Sequence, residues 1–166
     1  MSFLQKTSPD LNFRSPYVLV ATWFGAGWLP RMPGTWGALA ALPLAWLLHL
    51  AGGPWLILAA AALVFALGLW AAGRYMDAVD VHDPGAIVVD EVAAQWLTLA
   101  FMPLEVWVYL LGFLLFRGFD ILKPFPVGWL DRRMGGAIGV MIDDLVAALY
   151  AILILWAVVG TTGGNG

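Results

Sequence analysis

The sequence predicts an all-α fold: a polytopic helical membrane protein with an interfacial N-terminal segment and a re-entrant helical hairpin. Three observations predict it. The 166-residue chain is 62% hydrophobic and 11% charged, where soluble domains carry about 25% charged residues, and its mean hydropathy is +0.86. Its apolar residues run in stretches of membrane length. Its ten Trp suit a bilayer interface, where an indole keeps one polar edge wet. The length fits one membrane-embedded domain over 1–166.

Residues 1–16 read as a polar arm. No apolar run follows a basic start, so the arm does not resemble a cleaved signal peptide. Residues 17–36 intersperse Trp23, Trp28 and Trp36 with Gly25, Gly27, Gly34, Pro30 and Pro33. That is too interrupted to span and reads as interfacial or re-entrant. The first span follows from Thr35 over 37–51 and ends in a tight turn at Gly52-Gly53-Pro54. The second, 54–73, is about 20 residues or roughly 30 Å of helix, and its Ala59–Ala62 run permits close helix approach. Residues 74–91 read as a polar connection carrying Asp77, Asp80, His82, Asp83, Asp90 and Glu91. Residues 137–160 form the last span, and 161–166 a flexible tail.

Residues 92–116 admit one kinked crossing or a hairpin turning at 102–105. The basic residues decide between them. Lys6, Arg14, Arg31, Arg74, Arg117, Lys123, Arg132 and Arg133 all fall on one side if the segment is a hairpin. A single crossing would put the last four outside, against the positive-inside rule, so the hairpin is expected, with its basic side cytoplasmic.

A net charge of −3, with no long basic run, argues against a nucleic-acid partner. The absence of cysteine excludes disulfides, thiolate metal sites and cysteine nucleophiles. Asp143 and Asp144 stand near the start of the last span, where an unpaired carboxylate costs on the order of 3 kcal/mol by insertion scales. They either cap the helix at headgroup level or meet a cation. The topology brings Asp90, Glu91 and Asp120 to the same face, an all-oxygen set that suits a hard cation, magnesium above all. Arg117 and Lys123, with Arg31 as a further cation, supply the positive charge a phosphate needs. Together these suggest phosphoryl chemistry on a lipid headgroup.

Plainer readings stand beside each element. Arg117 and Asp120 can be a simple i,i+3 ion pair; Arg132 and Arg133 can be anionic-lipid anchors. His82 is a loop hydrogen-bonder or a phosphate contact. Thr35 caps the first span or joins Pro33 and Gly34 in a phosphate nest. A rival class is a small cation or proton carrier using Asp143 and Asp144 as intramembrane ligands.

The motifs LPRMPGTWGALAALP, HDPGAIVVDE, FRGFDILKPFP and GAIGVMIDD, in this order and spacing over about residues 17–160, resemble the bacterial phosphatidylglycerophosphatase A family. The resemblance implies a magnesium-dependent phosphatase of the bacterial inner membrane, converting phosphatidylglycerophosphate to phosphatidylglycerol. Its motif residues fall on Pro33, Gly34, Thr35, His82, Asp83, Asp90, Glu91, Arg117, Asp120, Lys123, Pro124, Asp131, Asp143 and Asp144. The chemistry then expected puts Asp90, Glu91, Asp120 and Asp144 on one or two magnesium ions, with Asp143 as a further ligand or a group behind them. Arg117 and Lys123, joined by Arg31, Thr35 and His82, would hold the phosphate. Asp83 or Asp120 is open as a carboxylate nucleophile. The small-residue surfaces leave room for a homodimer.

Overall fold

The computed structural model describes residues 11–81 and 84–163. It is helical throughout, with no β-strand among the described residues. A short α1 (Pro16–Ala21) leads through a 3-10 turn (Ala26–Trp28) into α2 (Pro33–Val79). There follow α3 (Val89–Leu99), α4 (Val106–Leu122), α5 (Val127–Arg133) and α6 (Gly136–Gly163). The interruption expected over 17–36 is present: Trp23, Phe24 and Gly25 take positive φ and end α1. Helix α6 runs to Gly163, so 161–163 continue it rather than begin a tail. The connection expected at 74–91 is shorter than its polarity suggested, because the helix runs on to Val79. Charged residues break a helix only where they compete for its backbone, and here Arg74 and Asp77 do not.

Helix α2 is two limbs, broken at Gly53, whose φ of 67° and ψ of −161° leave the helical region. Only glycine takes that conformation cheaply, and Pro54 has no N–H to continue the ladder. The chain reverses there. A Cβ built on Gly37 would lie 2.7 Å from Val88, and one on Gly68 3.2 Å from Val89, so both limbs pass the start of α3. Helices α3 and α4 form a second hairpin turning at 100–105. Arg117, near the end of α4, reaches Glu91 at the start of α3. The rings of Trp55 and Phe101 meet edge to face at 5.2 Å, which brings the two turns to one end of the bundle. The starts of α2, α3 and α6 and the end of α4 lie at the other.

Small residues set the closeness of this packing. Ala38, Ala94, Phe116, Ala147, Ala148 and Ala151 form one buried cluster joining α2, α3, α4 and α6. Val88 N–H donates to Ala21 O at 2.8 Å, tying the approach to α3 onto α1. Trp96 is buried on α3 and its indole N–H donates to Ala41 O at 2.9 Å. Trp96→Phe keeps most of the packing and loses that bond, so it should cost about 1 kcal/mol, a fall of roughly 2–4 °C in melting temperature. An unchanged melting temperature would show that the bond contributes nothing.

Among the described residues, two helices are long and apolar enough to cross a membrane, Pro33–Val79 and Gly136–Thr161. Their outer faces carry exposed Leu47, Leu50, Leu63, Leu153 and Trp156.

Candidate active site

Four helix ends converge on one cavity of about 290 Å³. The start of α2 contributes Met32, Pro33 and Gly34, and the start of α3 contributes Asp90 and Glu91. The last turns of α4 supply Arg117, Asp120 and Lys123, and α6 supplies Asp143 and Asp144. Asp90 and Glu91 occupy the first turn of α3, where the helix dipole favours negative charge. Pro124 stops α4 after Lys123, which ends it with a φ of 44°. The i,i+3 spacing of Arg117, Asp120 and Lys123 therefore turns all three toward the cavity.

The acidic groups divide by partner. Arg117 Nη1 bridges Asp120 and lies 3.5 Å from Glu91 Oε1. Lys123 Nζ donates to Asp143 Oδ2 at 2.9 Å. Asp90, Glu91 and Asp144 offer oxygens that all lie within 4.8 Å of one another. Asp90 Oδ1, Glu91 Oε2 and Asp144 Oδ2 are buried with no hydrogen-bond partner. Burial pushes the Asp90 carboxyl well above the usual carboxylate range, and the neighbouring Glu91 pushes it further. Burial also raises Glu91, against the pull of Asp90's hydrogen bond and of the Arg117 guanidinium. Three buried carboxylates at this spacing either hold protons or share a cation. Their hard oxygen donors, with Asp90 Oδ1 and Asp144 Oδ2 orphaned, fit a divalent ion such as magnesium.

Of the sequence-predicted residues, the cavity brings together Asp90, Glu91, Asp120, Asp143, Asp144, Arg117 and Lys123. Asp120 pairs with Arg117 and also lies beside Asp144, at the edge of the group of three. Arg31 is exposed and does not line the cavity. Thr35 does not line it either, and its hydroxyl oxygen is buried without a partner. His82 and Asp83 lie outside the described residues, as does the side chain of Asp131. Sequence reasoning missed Gly85, Ile87 and Val140, which complete the wall. Their backbone and apolar character left no chemical signal.

Gly34 is where space is tightest. A Cβ there would lie 1.9 Å from Glu91 Oε1 and 3.0 Å from Arg117 Nη1. The start of α2 thus presses directly on the carboxylate–guanidinium pair.

A family profile described as Phosphatidylglycerophosphatase A matches residues 19–159. Phosphatidylglycerophosphatase A of Haemophilus influenzae is 39% identical over 149 residues, covering 89% of this chain and 91% of that protein. Phosphatidylglycerophosphatase A of Escherichia coli is 36% identical over 148 residues, covering 88% and 85%. A Bacteroides thetaiotaomicron protein, provisionally named a phosphatidylinositol-3-phosphatase, is 37% identical over 145 residues, covering 83% and 90%. No solved structure gives a significant match.

Proposed function

The chain belongs to the phosphatidylglycerophosphatase A family, and on that premise we propose that it hydrolyses phosphatidylglycerophosphate to phosphatidylglycerol and phosphate, using magnesium, at the cytoplasmic face of a bacterial inner membrane. The observation that carries this reading is the cavity itself, where three close carboxylates stand beside Arg117 and Lys123. Asp90, Glu91 and Asp144 would hold the metal. Bound there, magnesium supplies charge neutralisation and acidifies a water at neutral pH.

The chain's own groups do the rest. Arg117 offers a planar fork and Lys123 a point charge to the equatorial phosphate oxygens, where charge builds up during transfer. Asp120 holds the Arg117 guanidinium in orientation, and Asp143 does the same for the Lys123 ammonium. The nucleophile in this reading is water. The outward leucines of α2 and α6 support a bilayer setting. Arg31, Arg74, Arg117 and Lys123 belong to segments at the site end of the bundle, which supports a cytoplasmic orientation for that end. The hairpin of α3 and α4 would enter and leave the bilayer on that side. A carrier would need its carboxylates in mid-span with access from both ends, whereas these sit among helix ends.

The experiment is phosphate release from phosphatidylglycerophosphate in mixed micelles, with magnesium and with chelator, beside phosphatidylinositol 3-phosphate. Release from the first lipid should fall to background on chelation and return when magnesium is restored. Release undiminished by chelator would remove the metal. Release from the inositol lipid alone would change the headgroup, and none from folded protein would return Asp143 and Asp144 to the carrier reading.

A further inference from the structure

One helical turn along α3 from Glu91, a polar side chain is sealed inside the bundle. Gln95 on α3 is wholly buried, and neither its Oε1 nor its Nε2 has a hydrogen-bond partner. An uncompensated amide in such a place is costly, and native structures keep few of them. Gln95 follows Glu91 by four residues, which puts the two on one face of the helix, a turn apart. Glu91 Oε2 and Arg117 Nε are also buried without partners, although Glu91 Oε1 and Arg117 Nη1 face each other at 3.5 Å.

The orphaned atoms are complementary. Glu91 offers an acceptor, Arg117 a donor, and Gln95 carries both kinds on one amide.

We propose that Gln95 is a positioning residue for the Glu91–Arg117 pair in the working site: its Nε2–H donates to Glu91 Oε2, and its Oε1 accepts from Arg117 Nε–H. This rests on the phosphatase reading above and adds a residue to it. The anchor decides where Glu91 points. A carboxylate beside a guanidinium is drawn into a two-oxygen fork, which would turn Glu91 away from Asp90 and Asp144. Holding Oε2 from behind leaves Oε1, with a lone pair beyond the one facing Arg117, to reach the cation. The same contact fixes the guanidinium plane that meets the phosphate.

The test is Gln95→Met, which keeps the length of the side chain and removes both polar atoms. Magnesium binding to the detergent-solubilised protein is measured by calorimetry without substrate, beside kcat, KM and melting temperature. Removing a merely structural, uncompensated amide would hold or raise the melting temperature and leave the other quantities alone. The proposal expects magnesium affinity and kcat each to fall roughly 10–100-fold, with KM within about twofold of wild type, and the melting temperature to fall because two bonds to buried charged groups are lost. Wild-type affinity and kcat in the variant would overturn it. Should Gln95→Met not fold, Gln95→Leu removes the same donor and acceptor on a shorter side chain. Its magnesium affinity must also fall, and an unchanged value overturns the proposal. Wild-type protein that releases phosphate without binding magnesium would instead sink the metal reading on which this one stands.

Discussion

Replacing Asp144 by Asn should lower kcat for phosphate release roughly a thousandfold, about 4 kcal/mol of barrier, while leaving the protein as stable as before or more so in chelator. The two effects have one cause. Asp90, Glu91 and Asp144 bring carboxylate oxygens within 4.8 Å of one another, and Asp144 is buried at 3% exposure. Without a cation their mutual repulsion opposes folding, and a neutral amide of the same shape relieves it. With a cation the same substitution removes a charged donor and turns an NH2 group toward the ion. Activity and stability should therefore move in opposite directions, which a general unfolding defect cannot produce. The checks are kcat with saturating magnesium and the melting temperature with and without it. Magnesium should raise the wild-type melting temperature more than that of the variant. An unchanged kcat would remove Asp144 from the site.

The second large effect is expected at Gly34, a residue with no functional group. Gly34→Ala places a methyl 1.9 Å from Glu91 Oε1 and 2.8 Å from its Cδ. The carboxylate is the far end of a flexible side chain and can swing aside, so the fold survives. Gly34 is the second residue of α2, where Ala is tolerated as well as Gly without the full gain of a helix interior. The displaced Glu91 nevertheless leaves its place beside Arg117 and Asp90. A misplacement of about 1 Å in a working site costs on the order of a hundredfold in rate. The expected result is a kcat down roughly a hundredfold in a protein that melts no lower than wild type. A variant with wild-type kcat would mean that Glu91 works from a different position.

Much of this arrangement was legible in the chain. The reversal at Gly52-Gly53-Pro54 followed from residue types that cannot continue a helix, and the distribution of Lys and Arg pointed to a turn within 92–116, where α3 gives way to α4. Arg117, Asp120 and Lys123 were legible as a unit because helical spacing, ended by Pro124, leaves little freedom. The long reach of α2 to Val79 was not, since polar residues there look like a loop until packing holds them in a helix. Nor could sequence divide the carboxylates by partner. Whether Asp120 faces a metal or Arg117 depends on side-chain directions at converging helix ends, and no spacing along one helix encodes that. Gln95 gave no signal at all, because one amide in an apolar stretch has no periodicity to betray it. Arg31 and Thr35 illustrate the converse: both neighbour the cavity in sequence, yet neither lines it.

The break at Gly53 also has a consequence of parity. From Gly34 the chain travels away and returns before it supplies Glu91, then travels away and returns again before it supplies Arg117. Asp143 and Asp144 follow before the last departure. Each contributor is separated from the next by an even number of traverses or by none. In a bilayer this ties the orientation of the whole site to a single choice made at insertion. A chain that enters inverted inverts every contributor together, and its cavity is intact on the wrong side. Losing the reversal at Gly53 does something different: it strands Met32, Pro33 and Gly34 at the opposite end from every acid and cation of the cavity. The simple Gly-Pro turn therefore decides whether the start of α2 can press on the Glu91–Arg117 pair at all, although it lies at the far end of the bundle and touches nothing that reacts.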